Sequence, residues 1–204
     1  LNSSVTLMEV QAPHIARKAK AGQFIIFRVD EEGERVPLTI ADYDREKGTV
    51  TIIFQIVGES TMLLNQLEVG DSILDFVGPL GLPTHVEPGA KRVCVIGGGV
   101  GNAIAYPLAK SLHQAGLQVD MIAGFRSKEI VILEEEMRAV TDNLYIMTDD
   151  GTYGEHGLVT DKLNALLQAG NHYDEVIAIG PVIMMKFVCA ATKPYGIKTL
   201  VSLN

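Results

Sequence analysis

From position 92 to the end, five short apolar runs alternate with helical patterns, and this rhythm constrains the fold more than any other feature of the sequence. RVCVIG (92–97), LQVDMIAG (117–124), NLYIMTDD (143–150), DEVIAIG (174–180) and IKTLVSL (197–203) read as buried strands. Helices are expected over 102–115, 128–140, 159–170 and 181–192; Gly116 and Gly170 end two of them, and Pro181 stands in the first turn of the last. Strands that alternate with helices pack as a parallel, doubly wound sheet.

Before Pro88-Gly89 the rhythm differs. FIIFRV (24–29) and RVPLTI (35–40) flank DEEGE with Gly33 in the turn, which predicts a hairpin. In TVTIIFQIV, Val50, Ile52, Phe54 and Ile56 recur with period two, and SILDFV returns as a further strand. GESTMLLNQLEVGD predicts a short helix capped at Ser60/Thr61. Short strands with turns between them predict an antiparallel β-barrel. The expected organisation is therefore two domains: an antiparallel β-barrel over 1–88, and an α/β doubly wound parallel sheet over 89–204.

Net charge −8, with no lysine/arginine run longer than two, argues against a nucleic-acid or anionic-membrane surface. No apolar stretch reaches about 18 residues and no signal pattern opens the chain, so a cytoplasmic protein without membrane insertion is expected. Cys94 and Cys189 read as buried thiols, the five histidines (14, 85, 113, 156, 172) lack ligand spacing, and no metal site is expected. Glu134, Glu135 and Glu136 read as a solvated helix face.

In a doubly wound sheet the ligand crevice lies at the carboxyl ends of the strands. Four loops fall there: GGGVGN (97–102), GFRSKE (124–129), TDDGTYGEHG (148–157) and IGPVIMM (179–185). Glycines let a backbone approach a pyrophosphate, and the helix that follows presents free amides; a tight strand–helix turn is the alternative. The regular G-x-G-x-x-G pattern fails at Asn102 counted from Gly97, or at Ile104 counted from Gly99. Asp120, at the right distance for a ribose-binding acid, sits mid-strand. Arg126, Ser127 and Lys128 could grip a 2′-phosphate or cap the next helix, so NAD(H) and NADP(H) both stay open. In the front domain, alternation puts Arg35, Pro37 and Thr39 on one strand face. Arg35 could meet a phosphate, or pair with Glu32 or Glu34 in the hairpin.

The ordered set AGQF, RVPLT, VGEST, GPLG, GGGVG, GFRSK, DDGTYG and GPVIMM, spread over the whole chain, resembles ferredoxin–NADP reductase-like flavoproteins, and among them the electron-transfer subunits. The resemblance implies an FAD-binding barrel followed by a nicotinamide-dinucleotide domain. It assigns Arg35, Pro37, Leu38 and Thr39 to the flavin motif, with Arg35 toward the FAD phosphates and Thr39, the one catalytic assignment, at the N5/O4 edge. Val57, Gly58, Ser60 and Thr61 are implied to hold the ribityl-diphosphate, and Gly98, Gly99, Val100 and Gly101 the nicotinamide pyrophosphate. Arg126, Asp150 and Gly151 are implied to surround the adenosine half, and Gly180, Pro181 and Met184 the nicotinamide.

The chain departs from the family where relatives carry a proline and it has Ile104, with Pro107 a turn later; Ile179 replaces the cysteine of plant-type reductases. A two-iron two-sulfur cluster is expected only in a longer chain, since four thiolates are needed and two distant cysteines are present; shortening at both ends is expected. The implied activity is electron transfer between NAD(P)H and an iron–sulfur acceptor through bound FAD. The implied partner is a larger catalytic subunit in a hetero-oligomer, or ferredoxin. The rivals are a free-standing ferredoxin or flavin reductase and a non-catalytic dinucleotide-binding assembly module.

Overall fold

The computed structural model describes residues 1–202 and divides into two compact units, Leu1–Thr84 and a second that begins at His85. The first contains β1 (Val5–Gln11), α1 (Pro13–Ala16), β2 (Phe24–Arg28), β3 (Val36–Asp44), β4 (Thr49–Gln55), α2 (Glu59–Asn65) and β5 (Asp75–Leu80). Its five strands form one antiparallel sheet in the order β1-β4-β3-β2-β5. The expected hairpin is β2–β3, with Phe27 opposite Val36 and Phe24 opposite Thr39. Period two sends Val50, Ile52 and Phe54 of β4 into a core shared with Ile25, Phe27, Ile40 and Leu64. Ile53 is buried as well, so β4 is covered on both faces. Among the described residues no ladder joins β1 to β5, which makes the barrel an open one. The short α1, not foreseen from the sequence, packs against β4 and β5 and buries Ile15 and Ala16.

The second unit contains β6 (Arg92–Gly98), α3 (Asn102–Gln114), β7 (Gln118–Phe125), α4 (Glu134–Ala139) and β8 (Asn143–Thr148). It continues with β9 (Glu155–His156), α5 (Val159–Gln168), β10 (Glu175–Ile179), α6 (Val182–Thr192) and β11 (Lys198–Ser202). The sheet is parallel throughout, ordered β11-β10-β6-β7-β8-β9. Val93, Cys94, Val95 and Ile96 are all fully buried because helices cover both faces. Cys94 and Ile96 face α5 and α6 in one core cluster, and α3 packs over β6 and β7. The last predicted strand ends at Ser202; Leu203 and Asn204 lie outside the described residues.

Several boundaries differ from expectation for local reasons. The helix expected over 128–140 is a 3-10 turn, Lys128–Ile130, followed by a short α4, with Leu133 at φ 57° between them. Leu133 takes the left-handed region between the two segments, and Ile132 and Leu133 are both buried at this break. Pro181 is the N-cap of α6 rather than part of its first turn. The division falls at Thr84/His85, four residues ahead of Pro88, because Glu87 belongs to the second unit. Its amide donates to Glu175 Oε2 at 3.0 Å and its carboxylate pairs with Lys198. Cys94 is fully buried, and burial pushes its thiol well above the usual range; Cys189 is only half-buried, and both are free. Among the described residues, no helix is long and apolar enough to cross a membrane.

Candidate functional site

The chain walks from β6 to β7, β8 and β9 in one direction, and β10 then enters on the opposite side of β6. The switch point lies between β6 and β10, so the crevice outside their carboxyl ends falls between Gly97–Gly101 and Gly180–Met184. These segments are in van der Waals contact. A Cβ on Gly98 would lie 2.6 Å from Met184 Sδ and 3.1 Å from Pro181 Cδ. One on Gly101 would lie 2.6 Å from the Ile179 carbonyl oxygen and 3.0 Å from Gly180 Cα. A Cβ on Gly97 would lie 2.0 Å from Asn102 Oδ1, so three of the four glycines are needed for close packing. Gly99 is different: at φ 57° its missing side chain faces open space, immediately before the 13-residue α3. The loop thus leaves room above a positive-φ glycine that opens a 3-10 turn, Gly99–Gly101, running directly into α3. The Asn102 amide is taken by the Gly99 carbonyl, so the amides without helical acceptors are those at the start of the turn.

The loops after β7 and β8 join the same end of the sheet. Asn102 is fully buried and donates through Nδ2 to the Gly99 carbonyl at 3.0 Å and the Gly124 carbonyl at 3.2 Å. The Asp149 amide donates to Phe125 O at 3.0 Å and the Asp150 amide to Arg126 O at 3.2 Å. Thr152 completes the link by accepting from the Lys128 amide at 2.9 Å. Asp150 accepts from the Thr152 hydroxyl and amide, and these bonds hold its carboxyl below the usual range. Gly151 turns at φ 70°, and Arg126 is exposed. Gly98, Gly99, Val100, Gly101, Arg126, Asp150, Gly151, Gly180, Pro181 and Met184 accordingly lie at or just beyond the carboxyl ends of strands of one sheet.

One acidic reading is sharpened and another changes. Asp120 is a structural residue at the amino end of β7, about 17 Å from the strand's carboxyl end at Phe125. It is fully buried and accepts from Arg92 Nη2 at 2.6 Å, the Tyr173 hydroxyl at 2.7 Å and Asn143 Nδ2 at 2.8 Å. Burial above all pushes the Tyr173 phenol up, so it remains a donor at neutral pH. Glu134 is half-buried rather than part of a solvated face. It accepts from the Tyr153 hydroxyl at 3.2 Å and Arg138 Nη2 at 2.7 Å, and so fastens the 149–154 loop.

In the first unit, Arg35 immediately precedes β3 and its side chain is 64% exposed. Its ionic partner is Asp75 of β5 at 3.2 Å, not Glu32 or Glu34. The same carboxylate accepts from Arg28 Nε at 2.7 Å. Arg28 also pairs with Glu31 at 3.9 Å, so the two guanidinium groups face two carboxylates, and Arg35 is the more exposed of the two cations. Pro37 is exposed and Thr39 half-buried, whereas Val36 and Leu38 pack against the core, so Leu38 lies on the face opposite Arg35, Pro37 and Thr39. The β3–β4 ladder joins Ile40–Asp44 to Thr49–Ile52, and Val57–Thr61 follows the carboxyl end of β4. There Thr61 is internally committed: Oγ1 accepts from the Val57 and Gly58 amides, each at 3.1 Å, and donates to Gly58 O at 2.9 Å. Ser60 is half-buried, and the space at Gly58 is open.

The sequence signal for the Asn102 tie is a polar residue opening an otherwise apolar helix directly after the glycines. No comparable signal announces Asp75, because its partners are remote in sequence.

No protein-family model matches the chain. An uncharacterised protein of Clostridium beijerinckii, encoded in an adh 3′ region, is 48% identical over 211 residues, covering all of this chain and 71% of that protein. A Thermotoga maritima homolog of the electron transfer subunit of NAD(+)-dependent dihydroorotate dehydrogenase B is 40% identical over 195 residues, 96% of this chain and 68% of that protein. A solved structure of an NADH-dependent reduced ferredoxin-NADP oxidoreductase, described in connection with flavin-based electron bifurcation, superposes with a TM-score of 0.92 at 37% identity. It covers all of this chain and 72% of that one. The open antiparallel barrel followed by a parallel α/β unit is the ferredoxin–NADP reductase-like fold of flavoprotein oxidoreductases. Within that class, the chain belongs to the family of dihydroorotate dehydrogenase B-type electron-transfer subunits.

Proposed function

We propose that this chain is an FAD-bearing subunit that couples NADH oxidation to an iron–sulfur acceptor on a larger partner subunit. The observation that carries the reading is the switch-point array, in which the loop after β6 packs on the loop after β10 and leaves only Gly99 facing open space. A dinucleotide pyrophosphate fits above Gly99 and the start of α3. Gly180, Pro181 and Met184 then bound the nicotinamide end, and Arg126, Asp150 and Gly151 the adenosine end. In the first unit, Arg35 supplies a mostly exposed guanidinium for a diphosphate, and Thr39 offers a hydroxyl on the same strand face. The chemistry FAD would supply when bound is to accept the electron pair of one hydride and release it as two single electrons. The protein orients and neutralises; direct hydride transfer asks no acid or base of it. The names of the relatives support the reading, being those of an electron transfer subunit and an NADH-dependent enzyme. NADH is favoured over NADPH because the relatives are named for NAD(+) and NADH.

Protein reconstituted with FAD is expected to be yellow and to bleach anaerobically on addition of NADH, with NADPH needing higher concentrations. Failure to retain flavin, or bleaching by neither nucleotide, removes the reading. Arg35→Ala is expected to lower FAD affinity about ten- to hundredfold, the worth of a charge-assisted contact to phosphate. Thermal stability should hardly change, since the side chain is mostly exposed. Unchanged flavin affinity would make the arginine a partner of Asp75 and nothing more.

A further inference from the structure

Asn102 presents a polar conflict that packing alone does not require. It is fully buried at the first position of α3, in a helix otherwise opened by Ala103 and Ala105. Its Nδ2 serves two carbonyl oxygens, those of Gly99 and Gly124, while its Oδ1 is buried with no hydrogen-bond partner. Exchanging the two amide atoms would not relieve this, because Oδ1 would then face both carbonyl acceptors at the same distances. The amide orientation is therefore fixed by chemistry, with one acceptor left unsatisfied so that two donors can be used. Gly97 makes the room: a Cβ there would lie 2.0 Å from Oδ1.

The two carbonyls belong to the turn after β6 and to β7 itself, adjacent strands in which Gly98 lies opposite Gly124. Gly99 is the open glycine of the loop after β6, and Gly124 lies near the carboxyl end of β7, two residues before Arg126. The Phe125 and Arg126 carbonyls are in turn bonded to the Asp149 and Asp150 amides. Asn102 is thus the side chain through which the glycine turn is hydrogen-bonded to the end of β7, which leads into the Arg126 loop. In a regular G-x-G-x-x-G turn counted from Gly97, this position is a glycine, which brings helix and strand together by having no side chain. Here an amide holds the junction by bonding across it.

We infer that Asn102 is a positioning residue for dinucleotide binding: it sets the Gly99 turn relative to the Arg126 and Asp150 loops, without touching the ligand. This rests on the proposal that the array binds NADH.

The test is NADH binding measured by calorimetry on FAD-reconstituted protein, with FAD affinity and thermal midpoint recorded beside it. Asn102→Ala is expected to raise the NADH Kd roughly tenfold or more, the effect of losing two net hydrogen bonds, with FAD affinity unchanged. Asn102→Asp, nearly isosteric but presenting oxygen to both carbonyls, is expected to bind NADH less well than Asn102→Ala. Asn102→Gly completes the regular glycine pattern and is nevertheless expected to weaken binding. Gly97→Ala leaves Asn102 in place and displaces its amide, so it should reproduce the loss by an independent route. If wild-type protein binds no nicotinamide nucleotide, the proposed function fails. If wild type binds NADH while the folded Asn102→Ala and Gly97→Ala variants bind it equally well, the positioning role is overturned and the proposed function stands. A lowered thermal midpoint with unchanged Kd also overturns it, since that is the signature of a purely structural amide.

Discussion

Asp120→Ala is expected to lower the unfolding free energy by about 3 kcal/mol, the low end of the range for removing one member of a buried ion pair. The aspartate has no exposed surface and receives three donors, from Arg92, Tyr173 and Asn143. Its loss strands all three at the amino end of the sheet. Arg92 suffers most: its guanidinium is otherwise held by Asn171 at 3.1 Å and by the Tyr173 ring at 5.0 Å, and its Nε already lacks a partner. The lower figure is appropriate because the Arg92 side chain is a quarter exposed, and water screens part of the uncompensated charge. For a chain of this size the thermal midpoint should fall by roughly 6–12 °C. Urea unfolding checks the value; a loss below about 1 kcal/mol would mean that solvent reaches the arginine freely. A double variant, Arg92→Met with Asp120→Leu, should be milder than either single change, because it removes both charges together. NADH binding should survive in the folded fraction, since the network lies at the end of the sheet opposite the crevice.

Gly101→Ala is expected to produce the largest loss of nucleotide binding of any single methyl addition in the glycine loop. The backbone at Gly101 is ordinary right-handed helix, φ −57° and ψ −20°, so alanine adopts it without strain. The obstacle is steric: the added carbon would lie 2.6 Å from the Ile179 carbonyl oxygen and 3.0 Å from Gly180 Cα. Both are backbone atoms that no rotamer change can move. The loops after β6 and β10 must therefore separate at the switch point. A shift of about 1 Å at such a site costs on the order of a hundredfold in binding or turnover, and overpacking costs about 1–3 kcal/mol of stability. Gly116→Ala is the control. At φ 87° it is conformationally strained, but open space surrounds the added carbon, so it should cost stability and leave the NADH Kd unchanged. If both variants bind NADH like wild type, the contact between these loops does not shape the site.

The class and much of the architecture were legible in the sequence because they follow from local periodicity. Apolar runs too continuous for a one-faced sheet, each followed by a helical pattern, leave little choice but a parallel sheet covered on both sides. The glycines likewise showed which loops a phosphate could approach, since a residue type and its neighbours along the chain carry that information. Other features depended on residues far apart in sequence. Asp120 stood at the spacing of a ribose-binding acid, and only the fold placed it at the opposite end of β7, in a network with Arg92, Tyr173 and Asn143. Arg35 found its partner 40 positions away, on a strand brought alongside through β2, rather than in its own hairpin. Thr61 was legible as a cap, but not as a hydroxyl whose bonds are already taken by Val57 and Gly58. Helix boundaries failed where adjacent Ile132 and Leu133 both went inward, a burial set by their neighbours and not by their own propensities.

By itself, then, the sequence determined most of the longer strands and helices, their parallel or antiparallel class, and the glycine-rich loops, but not α1, β9 or the break at Leu133. Hydrophobic period and turn chemistry act over a few residues, so a single chain displays them openly. Tertiary structure alone decided which glycine is packed and which is open, which carboxylate is structural, and that Asn102 joins the glycine turn to β7. Those outcomes are set by contacts across strands, where distances of 2–3 Å between remote residues have no trace in their spacing along the chain.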